Sequence, residues 1–230
     1  MQINGNPANA QARIQFIPSY HCPSEPMPAI NVVAGIIQAA STNYLQNLGS
    51  QAYVNPTSAT KKFAGPFYRN SSTRISQFTD GTSNTALFSE IRKGPNGSSS
   101  FQDPPVGSAI YYDVATNYSS LNDTTPLADL LDQNPASCDI PGNAWAYRGL
   151  QYYRGLIVAV YYTHTLTPNA KRRDCVQVDY GGHAATRSHH VGGSSTVLGD
   201  GSVRFVSDNI DLNTWKAIGT PNGGEVVGEF

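Results

Sequence analysis

A tight turn between two apolar segments near the C-terminus constrains this chain more than any other feature. Residues 196–198 (Thr-Val-Leu) precede Asp200-Gly201, and residues 203–206 (Val-Arg-Phe-Val) follow with alternating character. An Asp-Gly pair between two such segments favours a two-residue hairpin turn, because both central residues of that turn need positive φ angles. The sequence therefore predicts a β-hairpin centred on Asp200 and Gly201.

A short helix is predicted directly after the hairpin. Asp211 is a suitable N-cap, because its carboxylate can accept hydrogen bonds from the first backbone N–H groups of a helix. Leu212, Trp215 and Ile218 then fall on one face. We expect this face to pack against a sheet.

Two upstream segments are also predicted to be strands. Residues 86–91 alternate in character, and residues 145–162 are aromatic and rich in β-branched side chains, with a bend expected at Gly149 or Gly155. Together these patterns predict an α+β fold, in which a mostly antiparallel, twisted β-sheet carries few short helices and long loops.

Composition limits the domain count and the partners. Of the 230 residues 13% are charged, and Gly, Pro and Tyr number 21, 15 and 13. We take this as typical of a loop-rich extracytoplasmic domain, and the length predicts one globular domain over residues 1–230, with residues 94–175 as a loop-rich insertion. A net charge of −1 gives no reason to expect nucleic acid or an anionic membrane as partner. No apolar run approaches the ~18 residues that span a bilayer.

Several motifs occur in the order of a known family. Nine residues separate His190 from Asp200-Gly201, which resembles the H-x9-DG signature of prepilin-like proteins abundant in planctomycetes, also grouped as solute-binding-protein-like domains. Further similar segments are residues 21–26 (His-Cys-Pro-Ser-Glu-Pro), 42–44 (Thr-Asn-Tyr), 79–85 (Thr-Asp-Gly-Thr-Ser-Asn-Thr) and the tail 208–225. The resemblance runs from about Pro18 to Phe230.

This resemblance implies the globular head of a pseudopilin-like protein, which works by binding or assembly in a pilus or type II secretion-like system with unknown protein partners. Its location would be the periplasm or the cell surface. Family members begin with a prepilin leader and a long apolar helix, whereas this chain starts beyond that point. The chain is therefore expected to be soluble, and filament assembly through such a helix is not expected.

Histidines concentrate ahead of the hairpin, where His183, His189 and His190 lie within eight residues. Imidazoles suit a metal site or a general base, but adjacent histidines on an extended chain point to opposite faces. The preferred interpretation is structural: His190 hydrogen-bonds across the hairpin to Asp200 or to a loop carbonyl. The predicted structural motif consists of His190, Asp200 and Gly201 and, in a second rigid turn, Asp80, Gly81 and Asn84.

A hydrolase is the competing hypothesis. Ser188 and Ser194 lie close in sequence to His189 and His190, with Asp200 nearby, so a Ser/His/Asp site acting on an ester or lactone is conceivable. Such sites are assembled in space rather than in sequence, and the chain has no Gly-x-Ser-x-Gly motif. The non-catalytic interpretation is preferred.

Acidic side chains near the C-terminus raise the possibility of calcium. Asp200, Asp208 and Asp211 offer the oxygen ligands that Ca²⁺ takes. Pseudopilins related to the resembled family hold calcium in a C-terminal loop, which favours the same idea. Turn formation and helix capping explain these acids equally well, and no EF-hand spacing occurs.

Three cysteines leave one disulfide possible. Cys138 and Cys175 flank the insertion-like region, so we predict that they pair in an oxidising compartment. Cys22 is not excluded as a member of the pair. No two cysteines have the Cys-x-x-Cys spacing typical of a zinc ribbon.

Overall fold

Short β-strands make up most of the regular structure. The structure is a computed structural model and describes residues 9–33, 36–52, 64–68, 70–95, 100–101, 115–117, 144–145, 147–177 and 181–230. The strands are β1 (Ile30–Val33), β2 (Ile36–Ala40), β3 (Tyr44–Asn47), β4 (Ala86–Glu90), β5 (Ser100–Phe101), β6 (Ala115–Asn117), β7 (Ala144–Trp145), β8 (Tyr161–Tyr162), β9 (Asp174–Gln177), β10 (Gly181–His183), β11 (Gly193–Leu198) and β12 (Val203–Ser207). The helices are α1 (Ala10–Arg13), α2 (Ile157–Val160) and α3 (Leu212–Ala217).

These strands form three sheets in the described part of the chain. One five-stranded sheet has the order β12-β11-β4-β3-β8, a second has the order β10-β9-β6-β7-β5, and β1 pairs with β2. The β3–β8 and β6–β9 pairs are parallel, and the other pairs are antiparallel. The predicted α+β class with mostly antiparallel strands is confirmed.

The predicted hairpin also forms, but its turn is longer than expected. β11 pairs with β12 in antiparallel register. The backbone N–H of Gly201 donates to the carbonyl of Leu198, and the N–H of Leu198 donates to the carbonyl of Ser202. Gly201 has a φ of +85°, whereas Asp200 does not have a positive φ. The two-residue turn was therefore wrong: a three-residue loop forms, with glycine at the position that favours positive φ.

Helix α3 begins where the sequence predicted. The Asp211 carboxylate accepts hydrogen bonds from the backbone N–H groups of Asn213 and Thr214 at 2.9 and 3.0 Å, which confirms the cap. Trp215 and Ile218 are fully buried against the β12-β11-β4-β3-β8 sheet. Burial of such side chains contributes about 1.5–3 kcal/mol each. The helix therefore covers the sheet that carries the hairpin.

One predicted strand is partly helical. Residues 157–160 form α2 and are buried all round, and only the short strand β8 follows. A short apolar segment that is buried on every side has no periodicity that separates strand from helix. The predicted bend is at Gly149, which has a φ of +69° and a backbone that passes so close to the carbonyl oxygen of Thr42 that a Cβ would lie 2.4 Å from it.

Several predictions concern residues outside the described ranges. Most of the predicted insertion at residues 94–175 belongs to them, so the single domain with this insertion stays a prediction. Cys175 is disulfide-bonded, and Cys22 is a buried free thiol. Cys138 lies outside the described residues, and its pairing with Cys175 also stays a prediction. Within the described residues, no helix is long and apolar enough to cross a membrane.

Candidate functional site

The two ends of the hairpin hold different predicted site residues. We call the end with the turn at residues 199–202 the closed end, and the end where β11 begins and β12 stops the open end. His189 and His190 precede β11 at the open end, whereas Asp200 lies in the closed-end turn. The six residues of β11 separate them by about 20 Å at ~3.3 Å per residue. The predicted contact between His190 and Asp200 therefore does not form.

A buried carboxylate faces His190 instead. Glu90 is the last residue of β4, which pairs with β11, so its side chain reaches the start of the hairpin. Its Oε2 accepts a hydrogen bond of 2.9 Å from the backbone N–H of Ser195. Its Oε1 lies 3.9 Å from Nε2 of His190, and the Glu90 side chain is only 5% exposed. The carboxylate is thus fixed by one oxygen, and the other oxygen faces the imidazole.

A thiol completes this cluster. Sγ of Cys22 lies 3.9 Å from Nε2 of His190, and the three potential ligand atoms of Cys22, Glu90 and His190 all lie within 4.8 Å of one another. The loop of Cys22 is held by Asn43, whose side-chain oxygen accepts from the Cys22 backbone N–H at 3.1 Å. The backbone N–H of Asn43 donates to the carbonyl of Tyr20 at 2.8 Å. Asn43 therefore fixes the position of Cys22 relative to the sheet.

The second histidine of the pair faces a second buried carboxylate. Nε2 of His189 lies 3.5 Å from Oε1 of Glu25, whose side chain is 1% exposed. Oε2 of Glu25 accepts from the side-chain amide of Asn43 at 2.7 Å and from the backbone N–H of Lys93 at 3.0 Å. Most of the hydrogen-bonding capacity of the Glu25 carboxylate is thus used inside the loop. His189 lies at the edge of this carboxylate.

A buried lysine stabilises the loop that carries Glu25. Nζ of Lys93 donates to the carbonyls of Met27 and Pro28 and to Oγ of Ser41. Burial lowers the pKa of Lys93 to about 8, although the nearby carboxylate of Glu25 raises it. The ammonium group is therefore an internal anchor of this loop.

One serine–imidazole hydrogen bond occurs beside this lysine. Nε2 of His21 lies 3.1 Å from Oγ of Ser41, and this hydroxyl donates its own proton to the carbonyl of Ala29 at 2.7 Å. Burial, with the charge of Lys93 as the next cause, lowers the pKa of His21. Because the Ser41 proton is already donated, the imidazole acts as donor to Ser41. The pair therefore lacks the arrangement of a nucleophile and its base.

The two histidines also line a cleft of about 260 Å³ at the open end. Its other lining residues are Arg92, Asn169, Lys171, Arg187, Ser188, Val191, Gly192 and Asp208. The lining thus contains three permanent cations and one carboxylate, together with polar side chains. Concave surfaces of one predominant charge attract ligands of the opposite charge.

Arg187, one of the residues that line the cleft, belongs to a buried ion-pair network. Nη2 of Arg187 lies 2.6 Å from Oδ1 of Asp174, and Nε of Arg148 lies 3.3 Å from Oδ2 of the same carboxylate. All three side chains are at most 4% exposed. Burial lowers the pKa of Arg148, and the charge of Asp174 partly offsets this effect. Because Arg187 comes two residues before His189, this network positions the histidine pair.

A family model covers most of the chain. The model, described as "Protein of unknown function (DUF1559)", matches residues 2–213. The chain belongs to the DUF1559 family. Comparison with curated proteins gave no significant match, and comparison with solved structures gave none. The family description assigns no chemistry to this DUF1559 domain, so its own geometry is the guide to what the site can do. The prepilin-like details of the resemblance stay predictions.

The serines of the hydrolase hypothesis contact groups other than imidazoles. The hydroxyl of Ser188 accepts from the backbone N–H of His190 at 3.0 Å. Ser194 is fully buried, and its Oγ lies 3.2 Å from the hydroxyl of Thr186. With Asp200 at the closed end, the residues of the predicted Ser/His/Asp arrangement in this DUF1559 domain are not brought together.

The second predicted turn packs against the closed end. The side-chain amide of Asn84 donates to the carbonyl of Asp80 at 3.0 Å, and Gly81 has a φ of +99°. The backbone N–H of Asp200 donates to the carbonyl of Thr82 at 3.2 Å. Asp80, Gly81 and Asn84 thus form a turn that supports the hairpin turn, at the opposite end from His190.

The three acids considered for calcium each have a local hydrogen bond. Asp200 accepts from the backbone N–H and the hydroxyl of Ser202, and these bonds lower the pKa of Asp200. Asp208 accepts from the side-chain amide of Asn169 at 2.7 Å, and Asp211 caps α3. Among the residues that the structure describes, the one group close enough to share a metal ion contains none of these acids.

Sequence reasoning missed the partners of the histidine pair. The sequence patterns assign Glu25, Asn43 and Glu90 only to motif or strand segments and Cys22 to a motif segment or a disulfide, and no predicted motif includes Lys93. Three of them lie in the segments 21–26 and 42–44, which the family resemblance had singled out. The available signal for a shared site was the presence of a thiol and an acid in the motif segment 21–26.

Proposed function

We propose that this DUF1559 domain is an extracytoplasmic binding domain that holds a small anionic ligand in the cleft at the open end. In line with its resemblance to prepilin-like proteins, we further propose that it serves a pilus or type II secretion-like assembly. The observation that carries the proposal is the charge of the cleft lining, where Arg92, Lys171 and Arg187 outnumber Asp208.

The cations of the cleft differ in burial. The guanidinium group of Arg187 is buried, donates to the carbonyls of Ala170 and Arg172 and pairs with Asp174, so its charge is balanced inside the protein. Arg92 and Lys171 also line the cleft; Arg92 is half-buried and Lys171 is exposed. Because they are nearer the solvent, these two side chains are the ones we expect to contact a bound anion.

The size of the cleft favours a small ligand. A volume of about 260 Å³ is at the lower limit of ligand pockets, which run from roughly 300 to 1,000 Å³. The side chains of Ser188 and Asn169 add hydrogen-bonding groups at its edge. A small carboxylate or phosphate compound fits this combination of size, charge and polarity better than an apolar ligand.

The disulfide supports the proposed compartment. Cys175 is disulfide-bonded, and disulfides persist in oxidising surroundings such as the periplasm. Protease added to spheroplasts of the native host should digest the protein without lysis, as it digests other periplasmic proteins. Protection from protease until the cells are lysed would contradict the extracytoplasmic part of the proposal.

Calorimetric titration with inorganic phosphate and with citrate tests the binding part. We expect measurable affinity that falls with rising salt, because exposed charges are screened beyond about 10 Å at 0.1 M ionic strength. Arg92→Gln and Lys171→Gln should each weaken binding by about 5–10-fold, equivalent to roughly 1–1.4 kcal/mol. Lys216→Gln, in α3 and away from the cleft, is the matched control and should bind as the wild type does.

Two results would contradict anion binding. One is equal affinity in all three variants and the wild type, which would place the anion elsewhere. The other is absence of heat for both anions at low salt. A hydrolase would instead release products from simple esters and lose this activity in Ser188→Ala.

A further inference from the structure

We propose that Cys22, Glu90 and His190 form a binding site for a zinc ion or a similar divalent transition metal, with Sγ, Oε1 and Nε2 as the ligands. This inference goes beyond anion binding and does not depend on it, since the metal affinity is measured without the anion. It rests on a cluster of three different metal-ligating groups from three segments of the chain, two of them buried.

The distances between the ligand atoms are close to those in a metal centre and need only a small adjustment. Tetrahedral zinc has Zn–S bonds of about 2.3 Å and Zn–N and Zn–O bonds of about 2.0–2.1 Å, so neighbouring ligand atoms lie roughly 3.3–3.6 Å apart. In the protein, Nε2 of His190 is 3.9 Å from Sγ of Cys22 and 3.9 Å from Oε1 of Glu90. Closing of a few tenths of an ångström brings both distances from Nε2 to ligand spacing, and Sγ and Oε1 lie within 4.8 Å of each other. His190 is the mobile member, because its side chain is 47% exposed.

The geometry distinguishes a metal site from a Cys/His catalytic pair. In such a pair the thiol contacts one ring nitrogen, and the orienting acid contacts the other. Here both Cys22 and Glu90 face the same nitrogen, Nε2 of His190. One N–H can donate along only one direction, and the 3.9 Å from Nε2 to Oε1 of Glu90 exceeds the 2.7–3.2 Å of ordinary N–H···O hydrogen bonds. The 3.9 Å to Sγ of Cys22 allows only a weak hydrogen bond of sulfur. A cation between the three atoms satisfies all of them at once.

Each ligand is also oriented by a further hydrogen bond, as is usual at metal sites. The backbone N–H of Ser195 binds Oε2 of Glu90, which leaves Oε1 for the ion. The side chain of Asn43 holds the backbone of Cys22. The hydroxyl of Ser188 accepts from the backbone N–H of His190. Because these contacts come from groups outside the cluster, the site is largely formed before an ion arrives.

The ligand set selects the class of metal. Thiolate and imidazole favour zinc and related transition metals, whereas calcium and magnesium prefer oxygen ligands alone. Binding converts the Cys22 thiol to a thiolate, and its proton passes to the solvent. With three protein ligands the fourth position stays open to water or to an anion, as at catalytic zinc sites. His190 also lines the cleft, so the metal site and the proposed anion site would share this side chain.

Titration of the metal-free protein with Co²⁺ tests this site, under reducing conditions mild enough to keep the Cys175 disulfide. We expect one Co²⁺ per chain, a thiolate-to-cobalt charge-transfer band, displacement by Zn²⁺ and no displacement by excess Ca²⁺. Cys22→Ser should abolish the band. His190→Gln and Glu90→Gln should each weaken Zn²⁺ binding by at least ~10-fold. His189→Gln, one residue away and outside the cluster, is the matched control and should change the affinity by less than about 3-fold.

His190→Gln is the decisive variant, because His190 is the most exposed of the three ligands and its replacement is expected to leave the fold intact. Circular dichroism checks the folding of all three variants. Three results would overturn the proposal. The first is a Zn²⁺ dissociation constant above about 10 μM in the wild type. The second is a cobalt complex without the charge-transfer band. The third is equal Zn²⁺ affinity in the wild type and in the His190→Gln and His189→Gln proteins. None of these measurements uses an anion, so failure of the anion proposal leaves them unchanged.

Discussion

The two ends of the β11–β12 hairpin satisfy their polar groups in different ways. At the closed end the partners are at hydrogen-bond distance: Asp200 accepts from Ser202 at 2.7 and 2.9 Å, and Asp80 accepts from the backbone N–H of Gly224 at 3.1 Å. At the open end His190 lies 3.9 Å from both a carboxylate and a thiol. The distance to the carboxylate is beyond that of an N–H···O hydrogen bond, and the distance to the thiol allows only a weak hydrogen bond of sulfur, so these groups leave room for another atom.

This contrast favours a structural role for the Asp-Gly turn and supports the proposed binding role of the histidine pair. The closed-end contacts connect side chains mainly with neighbouring backbone, as expected of turns. The open-end groups come from loops and strands distant in sequence, and the carboxylates are buried. Burial of charged groups is costly unless they are paired, and a bound cation would pair them.

The largest effect is expected at Asp174, under the open end. Asp174→Ala leaves the buried guanidinium groups of Arg148 and Arg187 without their shared carboxylate. Removal of one partner of a buried ion pair costs about 3–5 kcal/mol, so the free energy of unfolding in urea should fall by this amount.

Asp174→Asn is the control, because it keeps an oxygen for the backbone N–H of Ala185 and removes only the charge. It should lose less stability than the alanine variant. A loss below about 1 kcal/mol in both variants would show that the open end does not depend on this network.

The next largest effect is the acid sensitivity of the core at His164. Burial lowers the pKa of His164 to about 3, although its hydrogen bond to the carbonyl of Trp215 raises it. Between pH 6.5 and 3 the unfolded chain therefore binds a proton that the folded chain does not. The stability contributed by neutral His164 is complete above pH 6.5 and is lost as the pH falls, by as much as about 4 kcal/mol.

Comparison of the wild type with His164→Gln isolates this contribution from the carboxylates that also titrate in acid. The variant is less stable at pH 7, and the difference between the two proteins should shrink from pH 6.5 to pH 3. A difference that stays constant over this range would disprove the assignment. Once the loss of stability at His164 is known, it can be separated from any pH dependence measured for metal binding at the open end.

The smallest effect is expected at Asp200, in the closed-end turn. Its carboxylate is fully exposed and, within the described ranges, accepts hydrogen bonds from Ser202. Asp200→Ala should leave the urea midpoint close to that of the wild type and change the Co²⁺ affinity by less than about 2-fold, since distant sites act independently. A clear loss of metal affinity in this variant would remove the distinction between the two ends.

The local features of this fold were predictable from the sequence. The hairpin and the Asp211 cap follow from preferences of neighbouring residues, which the sequence contains in full. The bend was predicted at Gly149 or Gly155, and the structure has it at Gly149. The turn length was not predictable, because Asp-Gly also suits a three-residue loop. Residues 157–160 were predicted as a strand for a related reason, since uniform burial hides the helical period.

The candidate site was not predictable, because its contacts are long-range. Cys22 and His190 are 168 residues apart, and Glu90 is 105 residues from Ser195, which fixes it. No local pattern encodes such distances. The prediction for His190 accordingly chose the acid nearest in sequence, Asp200, whereas the actual neighbour is Glu90 on an adjacent strand.

The order of the strands in the β12-β11-β4-β3-β8 sheet has a consequence for biogenesis. Strands β4 and β11 are adjacent in space although more than 100 residues lie between them, and closing such long loops slows folding. Cys22 and Glu90, the first two groups of the proposed metal site, leave the ribosome long before His190. The proposed site could bind an ion only after β11 has joined β4, so metal uptake would report that this sheet has formed.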